Sequence, residues 1–78
     1  MKGLKQNLPE FVVCINNADY PASLVLHKIY RVIMDEDAAE EKDIRIIDES
    51  GEDYLYPSSY FVPIQLPQTV EESLRRAS

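Results

Sequence analysis

At 78 residues, the chain has room for one small domain, since a chain of this size buries only roughly 60% of its extended-chain surface. A composition that is 45% hydrophobic and 28% charged is typical of a globular protein and argues against a disordered one. The net charge of −6 argues against a nucleic-acid surface, because phosphate binding depends on clustered Lys and Arg. Residues 35–53 hold ten acidic and two basic side chains, so this segment carries −8 and predicts a markedly negative end of the molecule.

Cysteine and hydropathy patterns limit the class of protein further. Cys14 is the single cysteine, which excludes an internal disulfide and a zinc site built on paired thiolates. The longest apolar run near the N-terminus covers only residues 11–15, too short for a signal peptide or a bilayer span. We therefore expect a cytoplasmic protein that does not interact with membranes.

The first part of the chain predicts a loose arm over residues 1–10 and then a strand over residues 11–15, where β-branched and aromatic residues are concentrated. Both faces of this strand are apolar, so we expect it to be covered on both sides, with Cys14 as a small buried hydrophobic residue. Residues 16–26 read as a long loop. A second strand follows over residues 28–34, and its core face is predicted to be Tyr30, Val32 and Met34.

The acidic segment begins as a connection over residues 35–43, with one helical turn expected at Ala38 and Ala39. A β-hairpin follows, with strands over residues 44–48 and 52–56. Gly51 suits the left-handed position of a three-residue hairpin loop, because glycine has no Cβ to oppose a positive φ.

Proline residues divide the last part of the chain. Pro57 ends the fourth strand because it cannot donate to the ladder, a tight turn follows at Ser58 and Ser59, and a short edge strand is expected over residues 60–64. After Pro67, the capping-box spacing of Thr69 and Glu72 predicts a short helix. The domain prediction is an arm over residues 1–10, a β-barrel over residues 11–66 and a helical tail over residues 67–78. The fold class is all-β, a small five-stranded barrel with a C-terminal helix.

Two segments resemble the Src-homology-3 family. N-A-D-Y-P followed by L-V-L-H-K-I-Y-R-V-I is similar to the opening of that fold, and L-Y-P-S-S-Y-F-V-P-I is similar to its closing turn between the fourth and fifth strands. The phrase I-D-E-S-G-E-D-Y-L-Y-P is also similar to small bacterial proteins with this type of barrel. The resemblance spans roughly residues 11–64 and implies an SH3-like barrel.

In peptide-binding members of that family, an aromatic floor holds proline-rich ligands, and Tyr20, Pro57 and Tyr60 match parts of that floor. The family tryptophan that opens the third strand is missing, because residues 43–45 of this chain read D-I-R. Without that indole the groove lacks its largest flat surface for a polyproline helix. The resemblance therefore supports the fold more strongly than it supports binding of proline motifs.

The side chains that carry chemistry do not form a catalytic pattern. His27 has no Ser, Cys or Asp in a recognisable arrangement around it and is expected to cap the turn before the second strand. The acidic segment lacks the spacing of a calcium loop, and two glycines cannot build a phosphate-binding loop. We expect no enzymatic activity, no metal and no cofactor.

The leading hypothesis is a protein-interaction module that uses an acidic and tyrosine-rich surface to bind an unknown protein partner. The candidate binding residues are Tyr20, Tyr56, Pro57, Tyr60, Glu49 and Glu52. The alternative for the tyrosines is a barrel core with a half-exposed rim, and the alternative for the acids is a solvated loop. The alternative function is a structural protein that forms homo-oligomers through strand edges or the C-terminal helix.

Overall fold

The computed structural model describes residues 10–77, so the predicted arm lies outside the described residues except for Glu10. The elements, in chain order, are β1 (Phe11–Cys14), β2 (Ile29–Ile33), α1 (Glu36–Glu40), β3 (Asp43–Ile47), β4 (Asp53–Pro57), a 3₁₀ turn (Ser58–Tyr60), β5 (Phe61–Ile64) and α2 (Gln68–Ala77). The five strands, the helical turn in the acidic connection and the C-terminal helix are thus confirmed, with boundaries shifted by one or two residues.

The five strands form one antiparallel sheet in the order β4-β3-β2-β1-β5. β1 lies between β2 and β5: Phe11 is paired with Arg31 on one side and with Ile64 on the other. The sheet is open, with β4 and β5 at its two edges, so the expectation of a closed barrel is not met. Pro57 is the last residue of β4, and Pro63 lies in β5. Proline has no backbone N–H, so each of them removes a hydrogen-bond donor that closing the sheet into a barrel would need.

The hydrophobic core lies against one face of the sheet. Its buried members are Val12, Cys14, Leu24, Tyr30, Ile46, Tyr56, Tyr60 and Phe61, with Val32 and Ile44 packed against them. Cys14 is fully buried, as predicted. Met34 is 57% exposed, which corrects its assignment to the core face: β2 ends at Ile33, so Met34 already belongs to the connection.

Helix α1 is fixed by its cap and by an ion-pair network. The Asp35 side chain accepts a hydrogen bond from the Ala38 backbone N–H at 3.1 Å, which satisfies a donor of the first turn. The Arg45 guanidinium then donates to Asp35 at 2.8 Å and to Asp53 at 3.0 Å. These bonds hold the pKa of the Asp35 carboxyl below its ordinary value, the Ala38 N–H being the larger cause and Arg45 the next.

The β3–β4 hairpin forms as predicted, with Gly51 at φ +86° in its loop. The Asp48 carboxylate accepts hydrogen bonds from the backbone N–H and the hydroxyl of Ser50, which stabilises the turn. Residues 48–52 therefore form a short, well-bonded tip of the hairpin.

The C-terminal helix is tied to the start of β1. Arg75 donates to both carboxylate oxygens of Glu10, at 2.5 and 2.6 Å. The helix begins at Gln68, so Thr69 lies inside it and the predicted capping box is wrong. Neither helix within residues 10–77 combines the length and the apolar character that a membrane crossing requires.

Candidate functional site

The long loop between β1 and β2, residues 15–28, folds back onto the sheet and the hairpin. Leu24 anchors it in the core with no exposed surface. The Asn17 side-chain amide donates to the Leu24 carbonyl at 2.8 Å, and the Glu49 N–H donates to the Ser23 carbonyl at 3.0 Å. His27 takes φ +67° in the turn before β2, and its backbone N–H donates to the Cys14 carbonyl at 2.7 Å. His27 thus fixes this turn through its backbone.

Three tyrosine hydroxyls donate to carboxylates, and two of these bonds join segments that are distant in sequence. Tyr30 bonds Glu49 at 2.6 Å, Tyr56 bonds Asp48 at 2.6 Å, and Tyr60 bonds Asp19 at 2.5 Å. Hydrogen bonds to charged acceptors are stronger than neutral ones, so these pairs hold the loop, the hairpin and the 3₁₀ turn together.

The pKa values of these tyrosines reflect the same contacts. Burial, followed by the Asp48 carboxylate, raises the pKa of Tyr56 to about 12. For Tyr60, the bond to Asp19 is the larger cause and also raises the pKa to about 12. Burial and then Glu49 raise the pKa of Tyr30 well above its ordinary value. All three hydroxyls therefore stay protonated and act as donors at neutral pH.

The aromatic rings of four tyrosines form a continuous row, which we call the tyrosine surface: Tyr54, Tyr56, Tyr20 and Tyr60. Ring centroids are 5.8 Å apart for Tyr54–Tyr56, 4.9 Å for Tyr20–Tyr56 and 6.1 Å for Tyr20–Tyr60. Tyr54 is 61% exposed and Tyr20 is 36% exposed, whereas Tyr56 is 1% exposed. The accessible area of the surface thus comes from Tyr54 and Tyr20. Tyr56 and Tyr60 are buried, and their rings pack against the ring of Tyr20.

The predicted binding residues are only partly brought together. Tyr20, Tyr56 and Tyr60 converge, and half-buried Pro57 follows Tyr56 at the end of β4. Glu49 is already engaged inside the chain, because its carboxylate accepts from Tyr30 and from Lys28 at 2.6 Å. The Glu52 side chain, by contrast, is exposed and forms no ion pair with any residue between 10 and 77.

Tyr54 was not among the residues predicted to bind a partner, although its exposed ring begins the row. Sequence reasoning also missed Asp19 and Asp48 as partners of the tyrosine hydroxyls. Tyr54 and Tyr56 are two residues apart, a spacing that places both rings on one face of β4. This spacing is the signal in the sequence that could have identified Tyr54. No sequence pattern pairs the two aspartates with their tyrosines.

A second concave feature, the α1 groove, lies between α1 and the sheet, away from the tyrosine surface. It encloses about 740 Å³. Its apolar floor comes from β1, β2, β3 and β5, through Val12, Val32, Ile44 and Phe61. Five carboxylate residues line it: Glu10, Asp35, Glu36, Glu40 and Asp43. Its two cationic residues are Lys42 and Arg45.

Within residues 10–77 no three His, Cys, Asp or Glu side chains are placed to hold a metal ion together. Three of the acidic side chains, Asp35, Asp48 and Glu49, instead accept hydrogen bonds from an arginine or from tyrosine hydroxyls. No protein-family model, curated protein or solved structure matches the chain. The functional assignment therefore rests on the two surfaces described above.

Proposed function

We propose that the chain is a cytoplasmic, non-enzymatic interaction module with an SH3-like arrangement, which binds a protein partner through the tyrosine surface. One observation carries the proposal: rings from the β1–β2 loop, from β4 and from the 3₁₀ turn meet in a single row. Aromatic side chains are enriched at protein interfaces because they offer large apolar area together with a polar tip.

The SH3-like part of the proposal is supported by the position of the turns. A long loop separates β1 from β2, and a 3₁₀ turn at Ser58–Tyr60 joins β4 to β5. These are the places where the resembling segments N-A-D-Y-P and Y-P-S-S-Y lie. The return of β5 to the free side of β1 also brings the two segments close together, as the contact of Tyr20 with Tyr60 illustrates.

The chemistry of the surface defines the kind of partner. Tyr54 and Tyr20 offer exposed rings, and Glu52 adds negative charge at the adjoining end of the hairpin. Ring faces attract both proline rings and guanidinium groups, and carboxylates attract the latter. The partner segment is therefore expected to be extended and to contain arginine or proline.

Site-specific photo-crosslinking tests this proposal in the cells that make the protein. Benzoylphenylalanine in place of Tyr54 is expected to capture a discrete partner, because the side chain is exposed on the surface. The matched control carries the same group in place of Val70, an exposed residue on α2. Adding Tyr20→Ser should weaken the adduct at position 54. Absence of an adduct at position 54, or the same adducts at position 70, would contradict the proposal.

The free edge of β4 favours a second candidate function, self-association. The Asp48 N–H bonds to the Glu52 carbonyl and the Ser58 N–H to the Lys42 carbonyl. Alternate residues therefore turn toward β3, which leaves the backbone groups of Leu55 directed outward. Leu55 is itself 39% exposed, so two copies could pair antiparallel about this residue.

Sedimentation velocity tests self-association. A dimer built on this edge should dissociate in Leu55→Lys, since a lysine blunts an exposed edge, and should persist in Val70→Lys. A monomer at every concentration would eliminate this candidate. A dimer that persists in Leu55→Lys but is lost in Val70→Lys would assign the contact to α2 instead.

A further inference from the structure

We infer that the α1 groove is a second binding site, separate from the tyrosine surface, which takes a segment of a partner protein that combines leucine-like apolar side chains with lysine or arginine. The size of the groove fits this role, since about 740 Å³ lies within the roughly 300–1,000 Å³ of typical ligand pockets.

The floor of the groove is part of the hydrophobic core. Val12 and Phe61 are core residues, and Val32 and Ile44 pack against them. The groove therefore places an apolar side chain of a partner next to the core layer, where its apolar surface is removed from water. Met34 stands at its border with 57% of its surface exposed. Methionine is unbranched and adapts its shape to what it contacts, so it suits the border of an apolar site.

The charge at the border of the groove determines which apolar segments fit. Glu10 is paired with Arg75, and Asp35 is paired with Arg45. Glu36, Glu40 and Asp43 form no ion pair within the described residues, and Arg45 is already occupied by Asp35 and Asp53. With Glu10 and Asp35 neutralised by their arginines, the three remaining carboxylates and Lys42 leave an excess of two negative charges at the groove.

This excess lies at the exposed border of the apolar floor. It repels nucleic acid, anionic lipid and acidic peptides, and it attracts lysine and arginine. An apolar floor with an acidic border is thus complementary to a basic amphipathic segment, in which apolar side chains enter the groove and cationic side chains contact Glu36 and Glu40 on α1.

The two surfaces can be tested apart, because no tyrosine lines the α1 groove. The probe is a fluorescein-labelled peptide of three Lys-Leu-Leu-Lys repeats, titrated with the full chain and followed by fluorescence anisotropy. Comparison peptides replace leucine by serine or lysine by glutamate. We expect the Lys-Leu-Leu-Lys peptide to bind at least about tenfold more tightly than either, because each comparison removes one half of the complementarity.

Charge-reversal variants locate the site. Glu36→Lys with Glu40→Lys should weaken binding about tenfold, and Met34→Ser should weaken it to a smaller extent. The matched control is Glu52→Lys with Glu72→Lys, which changes the net charge equally on residues that do not line the groove. Circular dichroism melts confirm that each variant is folded. The four α1 and control positions are exposed, so these substitutions leave the core intact.

Five results would overturn the inference, the last of them a loss of binding in Tyr54→Ser. The first is no binding of the Lys-Leu-Leu-Lys peptide, and the second is equal binding of the serine peptide. The third is an equal loss in the control variant, which would indicate general charge attraction. The fourth is a tenfold gain in affinity on Leu4→Ser with Leu8→Ser, which would make the chain's own N-terminal segment the occupant.

Tyr54→Ser should leave binding unchanged. A loss there would move the peptide to the tyrosine surface, whereas failure of the crosslinking experiment leaves this titration unaffected.

Discussion

Replacing Tyr30 by phenylalanine should destabilise the fold by about 2.5–3 kcal/mol although it removes a single oxygen atom. The hydroxyl donates to Glu49 at 2.6 Å and accepts from the Val25 backbone N–H at 2.8 Å. It therefore joins β2, the β1–β2 loop and the hairpin tip at one point. The ring itself is 4% exposed, and phenylalanine fills the same space, so the change tests the polar contacts alone.

The magnitude follows from the two lost bonds. A hydrogen bond to a charged acceptor contributes about 1.5–3 kcal/mol, and the lower half of that range applies because Glu49 keeps its bond to Lys28 at 2.6 Å. The Val25 N–H loses its acceptor, which costs about 1 kcal/mol more, since Val25 is half-exposed and water replaces part of the bond. For a domain of this size, the sum lowers the melting temperature by roughly 10–20 °C.

Urea unfolding followed by circular dichroism measures the free energy of unfolding directly. Tyr54→Phe is the matched control, because it removes a hydroxyl from a ring that is 61% exposed, and it should stay within about 0.5 kcal/mol of the wild type. A double-mutant cycle with Glu49→Gln should give a coupling energy of about 1 kcal/mol or more between the two side chains. If Tyr30→Phe unfolds like Tyr54→Phe, or if the coupling is near zero, the hydroxyl does not join these segments.

Three further predictions concern the core, the hairpin and the C-terminal helix. Leu24→Ala should cost about 2–5 kcal/mol by urea unfolding, whereas the exposed Leu26→Ala should cost under about 1 kcal/mol. Gly51→Ala should cost about 1–2 kcal/mol in a thermal melt, because φ is +86° while an added Cβ meets no atom within 4 Å, and Gly51→Asn should cost less. The Arg75 bond holds the pKa of the Glu10 carboxyl below its ordinary 4.5. Its contribution to stability is therefore present above that pH and lost as the pH falls through the lowered pKa, so Arg75→Gln should be less stable than the wild type at pH 7 and equal to it near pH 2.

Each of these predictions has a contrary outcome. Equal costs for the two leucine substitutions would remove Leu24 as the anchor of the loop. A more stable Gly51→Ala protein would mean that the loop takes another conformation in solution. A stability difference between wild type and Arg75→Gln that stays constant from pH 7 to pH 2 would show that Arg75 acts through packing rather than through the Glu10 carboxylate.

The strands were predictable because their signals are local. Runs of β-branched and aromatic residues are separated by Gly51 and Pro57, whose backbone constraints act within a few residues. Cys14 was placed correctly because its neighbours on both sides are apolar. Met34 was misplaced because alternation indicates which residues share a face but not where a strand ends.

The candidate site depends on contacts that no local pattern encodes. Tyr20 meets Tyr56 only because the β1–β2 loop folds back over the hairpin, and Tyr60 reaches Asp19 for the same reason. The α1 groove combines side chains from four strands, a helix and a turn, so its shape appears only when all of them are in place. Its negative charge, by contrast, was visible in the acidic composition of residues 35–53.

The central position of β1 has a consequence for synthesis of the protein on the ribosome. Phe11 and Cys14 are made early, but their partners Ile64 and Phe61 are among the last residues of the sheet to leave the exit tunnel. Until then the nascent chain carries β1 with one bare edge and an incomplete core, a state in which strands pair readily with other chains. The sheet therefore cannot be completed until β5 has emerged beside β1.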